Sequence, residues 1–205
     1  VGIDTASIDP GVTTDPVLAR YARALATPRT VPFSFIGAFD VLRGGTTANP
    51  PIGATAVAGF TQYAYAFVSL EADQLQSKDA KAAQRMKERA ARLYARAHGH
   101  AMTALEKSTP GFWKALMQAE PNASLRLSDA QVGVAYWAAA SWGGLISLSK
   151  DDPDKVADLP AAMRLAKLAW ETQPDHGRGS LSSLMGTFEA SSPGGSLGLA
   201  EKYFD

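Results

Sequence analysis

From Ala130 to Ser149 the chain runs AQVGVAYWAAASWGGLISLS without a charged residue, and Lys150-Asp151-Asp152-Pro153-Asp154 follows at once. Just over half of the stretch is Ala, Gly or Ser, and three large aromatics, Tyr136, Trp137 and Trp142, stand among them. As a helix it is apolar or small on every side, and such a helix belongs in an interior. Uncharged runs of about 18 or more residues also mark membrane spans. Here Gln131, Gly133, Ser141, Gly143, Gly144 and Ser147 dilute the apolar content, which favours the centre of an all-helical domain over a lipid span.

Lys+Arg and Asp+Glu number 20 each, so the net charge is zero, which argues against nucleic acid as a general partner. Hydrophobic residues at 46% against 20% charged are globular values, and 205 residues suffice for one domain. The absence of cysteine rules out disulfides, thiol catalysis and thiolate metal sites within these residues.

Residues 1–30, rich in Thr, Asp, Pro and Gly, read as an extended lead-in with a short helix after Asp15-Pro16, and residues 31–205 as a single helical domain. Phe35, Ile36, Phe39 and Leu42 mark a helix within Pro32–Arg43. A second apolar helix spans Ile52–Gln76, with Phe60, Tyr63 and Phe67 on one face and Tyr65 elsewhere. Asp79–Lys107 is amphipathic, with basic residues along a solvated face. Pro110-Gly111 opens a short helix ending at Pro121. Ser128-Asp129 caps the central helix. Amphipathic helices are then expected from Asp158 to Thr172, from about Ser180 to Ala190, and from Leu197 onwards. No stretch alternates as a half-buried strand does, so the fold class is all-α. Ala97, Ala101 and Ala104 lead towards Pro110, Ala169 sits five before Pro174, and Ala200 and Phe204 keep an A-x3-F spacing. These are degenerate tetratricopeptide marks, and together they favour stacked helix pairs packed around the two apolar central helices.

No catalytic constellation emerges. The rings of His98 and His100 lie about 200° apart on a helix, so they cannot share a metal, and with His176 they read as surface histidines. Gly194-Gly195-Ser196-Leu197-Gly198 matches G-x-S-x-G by chance: no strand precedes it and no histidine follows. Asn122-Ala123-Ser124 matches a glycosylation sequon without a context that gives it meaning. Lys150 to Asp154 reads as a helix end and a turn rather than a cation site. Neither a metal nor a cofactor is implied. The clustered aromatics can be core. But Tyr and Trp carry polar groups, and among alanines that cannot fill space Tyr63, Phe67, Tyr136, Trp137 and Trp142 are candidates to line an apolar ligand cavity.

The run Ala58-Gly59-Phe60-Thr61-Gln62-Tyr63-Ala64-Tyr65-Ala66-Phe67-Val68 with Glu71-Ala72-Asp73, the Arg92-Leu93-Tyr94-x-Arg96-Ala97 helix, and Tyr136-Trp137-x-Ala139-Ala140-Ser141-Trp142 leading to Leu148-Ser149-Lys150-Asp151-Asp152 together resemble the T-component family associated with TRAP (tripartite ATP-independent periplasmic) transporters. The resemblance covers about residues 50–205; residues 1–48 match loosely. It implies a periplasmic, often lipid-anchored protein of tetratricopeptide-like helix pairs without enzymatic activity. The implied partner is the periplasmic solute-binding subunit of a TRAP system that imports small organic solutes, and the implied assembly is a ring-like homo-oligomer, plausibly a homotrimer, with apolar tunnels. The family's lipobox cysteine has no counterpart here, and further helix pairs are expected beyond residue 205. A plain tetratricopeptide-like interaction scaffold without a small-molecule site is the alternative.

Overall fold

The computed structural model describes residues 52–118, 125–192 and 194–205. The expected lead-in, the helix within Pro32–Arg43 and the sequon at Asn122 lie outside them. The described residues form helices and no strand. The elements are α1 (Ile52–Tyr63), a π-helical segment (Ala64–Ser69), α2 (Leu70–Leu75), α3 (Ala80–Ser108), α4 (Phe112–Met117), α5 (Asp129–Ser147), α6 (Pro153–Ala157), α7 (Leu159–Thr172), α8 (Ser180–Ser191) and α9 (Leu197–Phe204). The all-α class read from the sequence is the observed one.

α5 is the uncharged stretch, and it sits where its composition demands. It packs most extensively on α3 and α7, touches α1 and α8, and buries Val132, Ala135, Ala138, Ala139, Ser141 and Trp142. Its glycines admit large neighbours rather than loosening the backbone. A Cβ at Gly144 would lie 2.7 Å from Tyr94 Cζ, and one at Gly143 would lie 2.9 Å from Phe188 Cε1. Ser141, fully buried, donates to the Ala138 carbonyl at 3.0 Å, as a buried hydroxyl must. No described helix is long and apolar enough to cross a membrane.

The start of α5 is tied down twice by one side chain. Gln131 Oε1 accepts from the Ser128 backbone N–H at 2.8 Å, closing the first turn, while Gln131 Nε2 donates to Ser108 Oγ (2.7 Å) and Thr109 Oγ1 (3.0 Å) at the end of α3. A residue that only diluted the apolar run in sequence is thus a latch between two helices.

α1 packs on α3 and α5 with Val57 buried, and the segment that follows it buries Ala64 and Val68. The helix from Ile52 is not uniformly α: the segment Ala64–Ser69 is π-helical, and Tyr65 there is 42% exposed. α3 buries its alanine stripe (Ala83, Ala90, Ala97 and Ala101) with Tyr94, Met102 and Leu105. Ala64, Val68, Ala90 and Tyr94 form a second cluster beside the main core, and burial there raises the Tyr94 phenol to about 12.

The turn expected at Lys150–Asp154 contains one more helix. Asp152 accepts from the N–H groups of Asp154 (3.2 Å) and Lys155 (3.4 Å), Pro153 occupies the first turn, and the five-residue α6 results. α9 folds back on α8: Tyr203 meets Trp170 edge-on at 5.3 Å, and Phe204 covers Gly186, where a Cβ would come within 2.7 Å of its ring.

Candidate functional site

The five aromatic candidates fall into three groups. Tyr63 and Phe67, half-buried and one turn apart, stack at 5.6 Å, Tyr63 packing on the second cluster, and Arg89 donates to the Tyr63 hydroxyl at 3.3 Å. Tyr136 and Trp137, also half-buried, meet edge-on at 4.7 Å against the main core, with His176 5.9 Å from the Tyr136 ring. Burial raises the Tyr136 phenol and lowers the His176 imidazole, since each charged form loses hydration. Trp142 is only 2% exposed and stands inside the main core. Among the described residues no ring contact joins one group to another.

The neighbours of Trp142 are residues that sequence reasoning passed over. His98, from α3, lies on its indole with centroids 4.3 Å apart, and Trp113, from α4, stacks on it at 5.6 Å; His98 and Trp113 meet edge-on at 6.3 Å. The reading of His98 as a surface histidine is therefore corrected. It sits in the body of α3 on the side facing α5, its Nδ1 is buried without a well-formed hydrogen bond, and burial brings its pKa down to about 4, with the Ala138 carbonyl only partly opposing. His100 does lie outside, on the face of Phe60 at 6.2 Å.

Trp113 is 41% exposed while its neighbour Phe112 is fully buried, so a six-residue helix presents one aromatic to the core and one to solvent. Glu106 sets that helix in place: Oε1 accepts from the Gly111 N–H at 2.6 Å and Oε2 from the Trp113 N–H at 2.9 Å, which holds the carboxyl below the usual carboxylate range. Trp113, Met102, Thr103, Glu106 and Lys107 line an open depression of about 360 Å³. The signal for it in the sequence was the Phe112-Trp113 pair after Pro110-Gly111, since adjacent positions on a helix cannot both face the core.

Among the described residues no three His, Asp or Glu side chains gather as a metal site would require. Ser196 of the G-x-S-x-G match serves the backbone, its Oγ accepting from the Leu199 N–H at 3.2 Å as the N-cap of α9. Gly195 is needed there for space, since a Cβ would meet the Glu189 carbonyl oxygen.

A family model described as TRAP transporter T-component matches residues 34–205, reaching back beyond the stretch that carries the resemblance in sequence. No curated protein matches the chain.

Proposed function

The chain belongs to the TRAP transporter T-component family, and from that premise we propose that it is a non-catalytic periplasmic accessory of a TRAP uptake system that binds the solute-binding subunit. Membership associates the chain with TRAP transporter components; which component it touches, and how, is the finer part of the proposal. The observation that carries it is the match over residues 34–205. In support, the longer helices α3, α5, α7 and α8 bury their apolar faces, while Trp113, Met117 and Leu197 are left exposed on short elements that can meet another surface. Anchoring through a lipidated N-terminus, tetratricopeptide-like pairing of the helices and assembly as a homotrimer belong to the same proposal. Light scattering of the full-length protein tests the last of these.

A small organic solute is proposed to bind at the aromatic residues. Tyr63 with Phe67 and Tyr136 with Trp137 are half-buried pairs with phenol or indole groups at hand, and Trp142 backs the exposed Trp113. The plain interaction scaffold is favoured by a specific observation: Trp142 is core, and the depression of about 360 Å³ is lined by none of the five. Titrating organic acids against intrinsic fluorescence, together with a binding assay on the solute-binding subunit, separates the two. Loss of solute binding in Trp137→Ala, with subunit binding kept, supports the cavity. Solute binding unaffected by both Trp137→Ala and Trp142→Ala takes the solute away from these aromatics, and no solute binding by the intact protein, with subunit binding kept, leaves the scaffold. No binding to the subunit by the intact protein ends the accessory reading.

A further inference from the structure

Lys81, Arg85, Arg89, Arg92, Arg96 and His100 follow one another at spacings of four or three residues on α3. At 100° per residue they fall within a single stripe about 100° wide and about 28 Å long, and all six are exposed. α3 carries seven Lys/Arg and two Glu, a net charge of +5, so the remaining residues of this neutral chain carry −5.

Ordinary solvated faces mix signs, as α7 does with Lys167 and Glu171 four residues apart at 3.8 Å. On the α3 stripe, Lys81/Arg85, Arg85/Arg89, Arg89/Arg92 and Arg92/Arg96 are like-charged neighbours, each repelling by a few tenths of a kcal/mol, and the acidic residue beside them on the helix, Glu88 at the stripe's edge, accepts from Gln84 and bridges none of them. No stripe residue forms a salt bridge among the described residues; the nearby bridge, Lys87 to Asp73 at 3.8 Å, lies off the stripe. Two members are held in place: the Arg89 guanidinium stands 5.9 Å from the Tyr63 ring and donates to its hydroxyl, and Arg96 stands 4.9 Å above Phe60. Guanidinium groups fixed in this way lose less freedom when they meet a carboxylate.

We propose that this stripe is the docking face of the protein and that its occupant is an acidic helix of the solute-binding subunit; the identity of that partner rests on the reading above. Arg85 and Arg92 are seven residues apart, as are Arg89 and Arg96, so the stripe repeats with the heptad spacing at which a second helix lying alongside presents its own side chains. Carboxylates at matching positions would meet the forks of the arginines. A lipid surface suits the stripe less well: interfacial helices set large apolar residues beside their basic ones, whereas the apolar face of α3 is spent on the core.

The test is binding of the full chain to the solute-binding subunit of the same system, by surface plasmon resonance from low to physiological salt. Arg85→Gln/Arg92→Gln removes two exposed cations that make no salt bridge among the described residues, and Lys81→Gln/Arg85→Gln is a second variant with an independent fold check by circular dichroism. Each is expected to lower the association rate about tenfold and flatten its salt dependence, while Lys202→Gln on α9 leaves both unchanged. Binding that is intact in both double variants overturns the assignment of the face and leaves the partner standing. Failure of the unmodified chain to bind the subunit removes the partner as well. Binding to vesicles of anionic phospholipid that is lost in the double variants, with subunit binding unaffected, assigns the stripe to a lipid surface and overturns the proposal.

Discussion

The imidazole of His98 lies on the indole of Trp142, centroids 4.3 Å apart and planes inclined by 36°, so a titratable group packs against the main core. An unperturbed histidine titrates near 6.5, and this one near 4 because the imidazolium would lose its hydration. Between those values the unfolded chain binds more protons than the folded one. The stabilising share is therefore complete above about pH 6.5 and is lost as pH falls towards 4, by at most about 3 kcal/mol. Thermal melts should show the midpoint dropping across that window, and His98→Phe should flatten the drop. His176, lowered by burial too, supplies a smaller slope of the same sign. An acid slope in His98→Phe equal to that of the unmodified protein would mean that the imidazole is not the group responsible.

Two glycines on neighbouring helices should respond to the same substitution with opposite sign. Gly144→Ala places a methyl within 2.7–3.0 Å of the buried Tyr94 ring, and overpacking of this kind costs about 1–3 kcal/mol. Gly99→Ala, on the exposed side of α3, meets nothing within 4 Å and should gain about 0.5–1 kcal/mol from helix propensity. Urea denaturation measures both. Equal shifts would rule out close approach of α5 and α3 as the reason for Gly144.

Gln131→Glu keeps an oxygen for the Ser128 N–H but removes both donors to Ser108 and Thr109. Two lost hydrogen bonds outweigh the small benefit of a carboxylate at the start of a helix, and a net loss of about 1 kcal/mol is expected at pH 7. Stability equal to the unmodified protein would show that the tie between α3 and α5 contributes nothing.

Glu106→Ala leaves the Gly111 and Trp113 N–H groups without their acceptor, and α4 should loosen. The Trp113 indole N–H resonance should then shift and exchange faster, while that of Trp142, inside the core, moves less. Glu106, its folded pKa lowered, contributes stability above the ordinary glutamate range that is lost as pH falls through it. An unchanged Trp113 signal in Glu106→Ala would assign the placement of α4 to Phe112 alone.

Helix positions were legible because their determinants are local. The 3.6-residue recurrence, Ser128 before α5, Asp79 before α3 and the prolines at 110 and 160 act within a few residues of themselves, and the observed bounds agree to within a few positions. That α5 is central also followed from the residues alone, since a helix without a charged face has nowhere to turn towards water. The companion stretch from Ile52 was right as a helix, but its π-helical segment at Ala64–Ser69 has no mark in the letters.

Which side chains meet was decided by how the helices pack. His98, Trp113 and Trp142 come from α3, α4 and α5, and no spacing along the chain records that three helices bring them within 4.3–6.3 Å of one another. Conversely Tyr63 and Trp142, alike in sequence as aromatics on alanine-rich helices, went to different clusters because each helix could bury only the side its neighbours covered. Local propensity depends on residues a turn apart and is written in order; tertiary contact depends on the crossing of whole helices, which Gly143 and Gly144 set by admitting Phe188 and Tyr94. The arginine stripe belongs to both: its spacing was there to read, and only the buried opposite face of α3 left it facing outward.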